Sequence, residues 1–353
     1  APTALFSIAE ILRSIAVYSE SARVYELYAK FHPKHKHVKE ALQRAIVFRK
    51  ALRDYNQAIA NIDHFQKRFR RDKSIPRLTI EKAIIARHAD KREKTRTLLE
   101  DFLKKPPKDI NSELLFQAKL ELGRTLLEMK KTSKAREVLQ SAVRLFSGLP
   151  YHKKKKVRHS GVAAVAESHF LIGQMVLEKM AALKFAGDAR SMGRTLVKKL
   201  ALIKESNKIF ARVVRYGNKN WSIAGFARTA RAFENLSNDI INAPIPREFR
   251  GESAEVYRQT LAEQAQPIQL KAITSYQEAL GLAMDLQWFN TFAQDSVEAL
   301  ARLDYEFPFT KEFTLKPNRM RLDGSIPSIE SLTEADDKKL MPKTAGDPES
   351  QTH

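Results

Sequence analysis

The sequence predicts an all-α protein, and three observations carry that reading. Only 12 of its 353 residues are glycine, and Ala, Leu, Lys, Arg and Glu dominate, residues that lose little on entering a helix. Few stretches alternate apolar and polar residues for long enough to form a strand. Apolar residues instead recur at helical spacing in segments stopped by Pro or turn-forming residues. The 43% hydrophobic fraction suffices for a sizeable core, in one large domain, two ordinary ones or a repeat array.

Taken in chain order, the segments share a spacing. "YSESARVYELYAKFHP" (18–33) reads as a helix with Ser21, Tyr25 and Tyr28 on one face, stopped by Pro33. "ALRDYNQAIANIDHF" (51–65) has an Asp-Tyr turn followed by Ala58, Ile62 and Phe65. "KTRTLLEDFLKKPP" (94–107) offers Thr95, Leu99 and Phe102, ended by Pro106. The most informative stretch is "LELGRTLLEMKKTSKAREVLQSA" (120–142), with Leu122-Gly123, Leu126, Ala135, Leu139 and Ala142. Gly123 and the small Ala135 let two antiparallel helices approach closely, while Leu139 and Ala142 form an apolar face for the next unit.

These offsets resemble the tetratricopeptide (TPR) pattern L-G-x2-Y…A-x3-F-x2-A, with Leu126 at the Tyr place. The resemblance covers roughly residues 5–305 and implies a TPR-like solenoid of antiparallel helix hairpins, coiled as a right-handed superhelix. "SHFLIGQMVLEKM" (168–180) supplies Ile172, Gly173 and Val176 of another first helix, whose partner carries Ser206, Phe210 and Val213. Gly173 and Ser206 are 33 residues apart, against 12 for Gly123 and Ala135. The 21 extra residues, shared between both helices, predict an elongated hairpin with about three added turns, or about 15 Å, on each arm. "QLKAITSYQEALGLA" (269–283) repeats the spacing with Ala272, Tyr276 and Ala279. The expected organisation is therefore regular repeats over 1–150, elongated hairpins and a terminal module over 151–305, and an extended or disordered tail over 306–353.

Residues 220–305 bear a narrower likeness. The Ala243-Pro244-Ile245-Pro246 turn, Tyr257 opening a long helix, Pro267 within it and the closing "EALARL" resemble a terminal module of large bacterial cell-envelope TPR proteins, some associated with gliding motility. That resemblance implies a non-enzymatic scaffold of the periplasm or cell envelope. A cytoplasmic location is the alternative, since the absence of cysteine excludes disulfides but does not fix the compartment. The chain opens on Ala1 with no signal-peptide pattern and reads as a mature or trimmed product. No run of eighteen apolar residues occurs, so no transmembrane helix is expected.

Net charge is +21, unevenly spread: residues 1–303 carry 55 basic against 31 acidic residues, and 304–353 carry seven against ten. Such a body favours acidic partners. Catalytic, cofactor and metal sites are not expected. "GDARSMGRT" (187–195) lacks the spacing, lysine and preceding strand of a phosphate loop. "FHPKHKH" brings His32, His35 and His37 together among lysines that would repel a cation, and reads as a turn between repeats. His64, His88 and His169 sit in helical patterns without a nucleophile motif.

Partner binding is the remaining function class. First helices line the inner face of such an array, which puts Gln117, Arg124 and Glu128 of one repeat and Gln43 and Lys50 of an earlier one on a surface for other proteins, acidic segments or extended peptides. The run Lys153, Lys154, Lys155, Lys156 with Arg158 reads as an exposed connector between the regular and elongated hairpins. Together with "KRFRRDK" (67–73) it supports the alternative, a nucleic-acid or anionic-polymer binder using a basic edge without base readout.

Overall fold

A computed structural model describes residues 2–108 and 110–303. The expected tail over 306–353 lies outside the described residues. Among those described there is no strand, and fourteen helices follow one another in antiparallel hairpins. The regular part comprises α1 (Pro2–Ser14) with α2 (Tyr18–Phe31), α3 (Val38–Ala51) with α4 (Tyr55–Arg68), α5 (Ile75–His88) with α6 (Arg92–Lys104), and α7 (Ser112–Glu128) with α8 (Thr132–Ser147). A four-residue helix, α9 (Tyr151–Lys154), leads into α10 (His159–Ala182) and α11 (Ala189–Val214). Then come α12 (Lys219–Ile241), α13 (Glu252–Asp285) and α14 (Thr291–Arg302). The fold is an all-α helical repeat built of hairpins, as the spacing predicts.

The predicted markers explain the packing. Ser21, Ala58, Thr95, Ala135 and Ser206 hold one position of successive second helices, and each is fully buried. They succeed one another at intervals of 37, 37, 40 and 71 residues. Twelve residues earlier in each regular hairpin stands the partner on the first helix: Ala9, Ile46, Ala83 or Gly123. Two hydroxyls join the helices there, with Ser21 Oγ donating to the Ala9 carbonyl at 2.8 Å and Thr95 Oγ1 to that of Ala83 at 3.2 Å. A Cβ on Gly123 would collide with Leu139, and one on Gly173 with Phe210, so the two helices come too close at these points for any side chain on the first.

Each regular first helix ends in the same way. Ala16, Arg53, Asp90 and Lys130 take φ near +60°. The next residue donates back five positions, as in Lys91 N to Ala86 O at 2.9 Å and Lys131 N to Leu126 O at 2.8 Å. This Schellman closure satisfies the last carbonyls within three-residue turns and reverses the chain tightly.

The long hairpin differs from expectation in where its length lies. α11 begins seventeen residues before Ser206, whereas α8 begins three before Ala135. α10 runs only nine residues past Gly173, against five past Gly123 in α7. The extra residues therefore go mainly to the second arm. Asp188 starts that arm as an N-cap, accepting from Ser191 N at 2.7 Å. α10 is also the one described helix long and apolar enough to cross a membrane, yet 67% of that stretch is buried inside the fold. Phe116, Leu139, Val165 and Ile172 share one cluster, so the regular and elongated hairpins meet in a continuous core.

His169 of α10 lies in that interior, its Nδ1 3.1 Å from the Tyr216 hydroxyl. Burial, aided by Arg212, lowers its pKa from 6.5 to about 4. Between those values the unfolded chain binds a proton that the folded chain does not, so stability falls as pH drops through the window. The loss attributable to this group approaches about 3 kcal/mol at the acid end. Urea unfolding of wild type and His169→Gln at pH 7 and pH 4.5 checks it: the variant should lose less stability than wild type between the two.

In the terminal module, Ala272, Tyr276 and Ala279 are buried as the spacing predicts. The Tyr276 hydroxyl donates to Glu234 Oε2 at 2.5 Å, and burial followed by that carboxylate raises its pKa, keeping it a donor. The Ala243–Pro246 stretch connects α12 to α13, and Pro267 lies inside α13, where its missing N–H removes one backbone bond.

Candidate peptide-binding face

The first helices α3, α5, α7 and α10 lie side by side, and the shared register explains what joins them. Lys50 of α3 pairs with Glu81 of α5, and one repeat later Arg87 of α5 pairs with Glu121 of α7 at 3.2 Å. Lys50 and Arg87 are 37 residues apart, and Glu81 and Glu121 are 40 apart, matching the marker intervals. The same inter-repeat ion pair is thus used twice. Arg87 also reaches Glu128 at 2.8 Å, and Arg124 Nε donates to Glu167 of α10 at 2.7 Å while its Nη1 bonds Glu121. Burial alone would lower the Arg124 pKa, but Glu121 and Glu167 outweigh it and raise the value.

Two cavities open beside this ladder. The larger, about 490 Å³, lies between α3 and α5. Gln43 and Lys50 border it, with Ile46, Val47 and Leu78 as apolar lining. Val47 is 60% exposed. The smaller, about 250 Å³, lies among the starts of α5, α7 and α10, lined by Glu113, Gln117, Arg158 and Ser160. Arg77 and Glu81 line both, so the two cavities adjoin on either side of these residues of α5. Arg77 is exposed and has no carboxylate partner among the described residues.

The sequence-predicted residues are therefore distributed over neighbouring places. Gln43 and Lys50 share the first cavity, and Gln117 and Arg158 share the second. Arg124 and Glu128 lie further along α7, engaged in the ladder. Lys153 and Lys154 are on α9 and Lys155 and Lys156 follow it, so the basic run is a helical turn instead of a plain loop. It does face solvent: Lys153, Lys155 and Lys156 are exposed, while Lys154 caps the Ser147 carbonyl at 2.8 Å. Arg158 is bound to Glu113 through both its backbone N–H and its Nε.

Val47, Arg77, Glu81 and Glu121 were not singled out from the sequence. Carrying the 37- and 40-residue intervals across the first helices would have aligned the two ion pairs. The histidines of the first connector are packed: Tyr28 bonds His35, and Phe6 stacks on His37 with centroids 4.7 Å apart. Among the described residues no group of three or more His, Asp or Glu side chains is placed to hold a metal ion.

No family model and no curated protein matches the chain. Among solved structures, it is similar to a tetratricopeptide repeat protein from Parabacteroides merdae at 9% identity, covering 84% of this chain and 98% of that one with a TM-score of 0.36. A TPR repeats protein from Bacteroides fragilis aligns at 12% identity over 86% of this chain and 99% of its own, with a TM-score of 0.30. Yeast Tom70 aligns at 11% identity over 88% and 70%, with a TM-score of 0.29.

Proposed function

We propose that this chain is a non-enzymatic protein-interaction scaffold whose first-helix face holds an extended peptide segment of a partner protein. The observation that carries the reading is the groove between α3 and α5. Its exposed apolar residue Val47 lies beside Arg77, a cation with no carboxylate partner among the described residues. An apolar side chain in that cavity would bury surface that folding has left open, stabilising the complex by about 25 cal/mol per Å² before ordering costs. An acidic residue a few positions away on the peptide would pair with Arg77, and the smaller cavity would receive polar groups through Gln117. The ladder of ion pairs holds the helices in fixed register and pre-organises the groove.

The role in a bacterial envelope assembly, in the periplasm or at the cell envelope, is part of the proposal. It rests on the likeness of residues 220–305 to terminal modules of envelope proteins. Selection from a random twelve-residue peptide library tests the groove. Enriched peptides should carry an apolar residue with Asp or Glu two to four positions away, and should lose at least tenfold in affinity for Val47→Glu. Peptides that bind the variant as tightly as wild type would contradict the assignment.

A further inference from the structure

The connectors between successive hairpins form a separate surface, on the edge where second helices end and first helices begin. The four connectors, residues 32–37, 69–74, 105–111 and 148–158, carry twelve Lys or Arg against two Asp. The four turns at the opposite edge, residues 15–17, 52–54, 89–91 and 129–131, carry four against two. The connector edge thus carries a net +10 over 30 residues, against +2 over 12 at the turns, and aligned helix dipoles do not explain it, because adjacent helices run in opposite directions and largely cancel.

Contacts join these connectors into one row. Arg68 donates to the Pro33 carbonyl at 3.3 Å, and Lys39 pairs with Asp72 at 2.6 Å, tying the first connector to the second. Arg77, Glu113 and Ser160 line a common cavity, which brings the starts of α5, α7 and α10 together. The first connector supplies Lys34 and Lys36, and the second Arg70, Arg71 and Lys73. The third supplies Lys105 and Lys108, followed by the Lys153–Lys156 run. All but Lys154 are exposed, and among the described residues Arg158 is the only Lys or Arg of these connectors that pairs with a carboxylate. Asp72 is already bound to Lys39 and Ser74, so it neutralises little of the outer charge.

Aromatic rings stand at this edge beside the cations. Tyr151 is 74% exposed with Lys155 Nζ 4.8 Å from its ring centre, and Phe31 is 62% exposed with Lys30 at 5.8 Å. The large exposed aliphatic residues lie elsewhere, so the edge offers no aliphatic side chain for insertion into lipid. A row of unpaired cations with exposed flat rings fits a flexible chain of phosphates bearing stackable bases. We propose that this edge binds single-stranded nucleic acid along its backbone, without sequence readout, with Tyr151 and Phe31 as stacking surfaces.

Fluorescence anisotropy of the full chain with a labelled sixteen-nucleotide oligothymidylate, from about 50 to 200 mM salt, tests the proposal. Binding should weaken linearly on a log–log plot. Replacing Lys153–Lys156 with Ser should weaken it at least tenfold and reduce the slope by about two to three, near 0.7 for each phosphate no longer neutralised. Arg70→Ser with Arg71→Ser, on a different connector, should also reduce the slope, which separates edge binding from a local fault in α9. Tyr151→Ala should weaken binding with the slope unchanged, while leaving the affinity for polyglutamate as it was. Three results would overturn the proposal: no binding at 50 mM salt, slopes unaffected by either set of substitutions, or attachment to phosphatidylserine vesicles without oligonucleotide binding.

Discussion

Ala135→Asp should destabilise the chain by about 4 kcal/mol or more, because it buries a carboxylate inside an apolar cluster. Ala135 has no exposed surface and packs among Leu99, Phe102, Leu122 and Leu126. Ala135→Ser is the instructive companion. Ser21, Thr95 and Ser206 occupy the equivalent position of other hairpins, and the Ser21 and Thr95 hydroxyls bond the facing helix. A serine at 135 should reach the Gly123 carbonyl in the same manner and cost less than about 1 kcal/mol. Denaturant unfolding followed by circular dichroism measures both. Equal losses for Asp and Ser, or none for Asp, would contradict the register on which the repeat assignment stands.

Glu121→Ala should cost about 3–5 kcal/mol, the usual result of removing one partner from a buried charge network. Glu121 is 4% exposed and receives both Arg87 and Arg124. Without it the two guanidiniums face each other across α5 and α7, with only Glu128 and Glu167 left to balance them. A triple replacement of Arg87, Glu121 and Arg124 by apolar residues of similar volume should recover much of the loss, since desolvation of the ions is removed with them. A loss below about 1 kcal/mol for Glu121→Ala would mean that the ladder does not hold the first helices in register. Such a result would leave the groove without its fixed geometry.

The second helices were legible because their markers are large or distinctive and are followed by prolines: Tyr25 and Tyr28 before Pro33, Leu99 and Phe102 before Pro106. Their partners on the first helices were less so. That position holds Ala9, Ile46, Ala83, Gly123 and Gly173, and only the glycines announce a close approach. Ile46 packs in one cluster with Ala58 and Ile62, whereas a Cβ at 123 would strike Leu139 and one at 173 would strike Phe210. The unequal arms of the long hairpin could not be read from spacing, because 33 residues between Gly173 and Ser206 do not say where the turn falls. Asp188 capping α11 decides it.

The groove was half visible. Gln43, Lys50 and Gln117 were placed on the first-helix face by repeat register, and two of the cavities' edges lie there. What makes the groove a candidate site is relational: Glu81 is occupied by Lys50, and Arg77 is left without a carboxylate partner among the described residues. A single sequence does not show which of several nearby charges pair. The lysine run was legible as exposed, but its place in a row with Arg70, Arg71 and the other connectors rests on contacts distant in sequence, Arg158 with Glu113 as well as Lys39 with Asp72.

Charge reversal across the groove tests the central claim most directly. A selected peptide carrying one apolar and one acidic residue should bind wild type, and Arg77→Glu should weaken it at least tenfold. Changing the peptide's acidic residue to Lys should restore affinity for Arg77→Glu while abolishing it for wild type, measured by isothermal titration calorimetry. If the Lys peptide fails to recover binding to Arg77→Glu, or if Arg77→Glu leaves the original affinity unchanged, the peptide does not lie in the α3–α5 groove and the scaffold face proposed here is wrong.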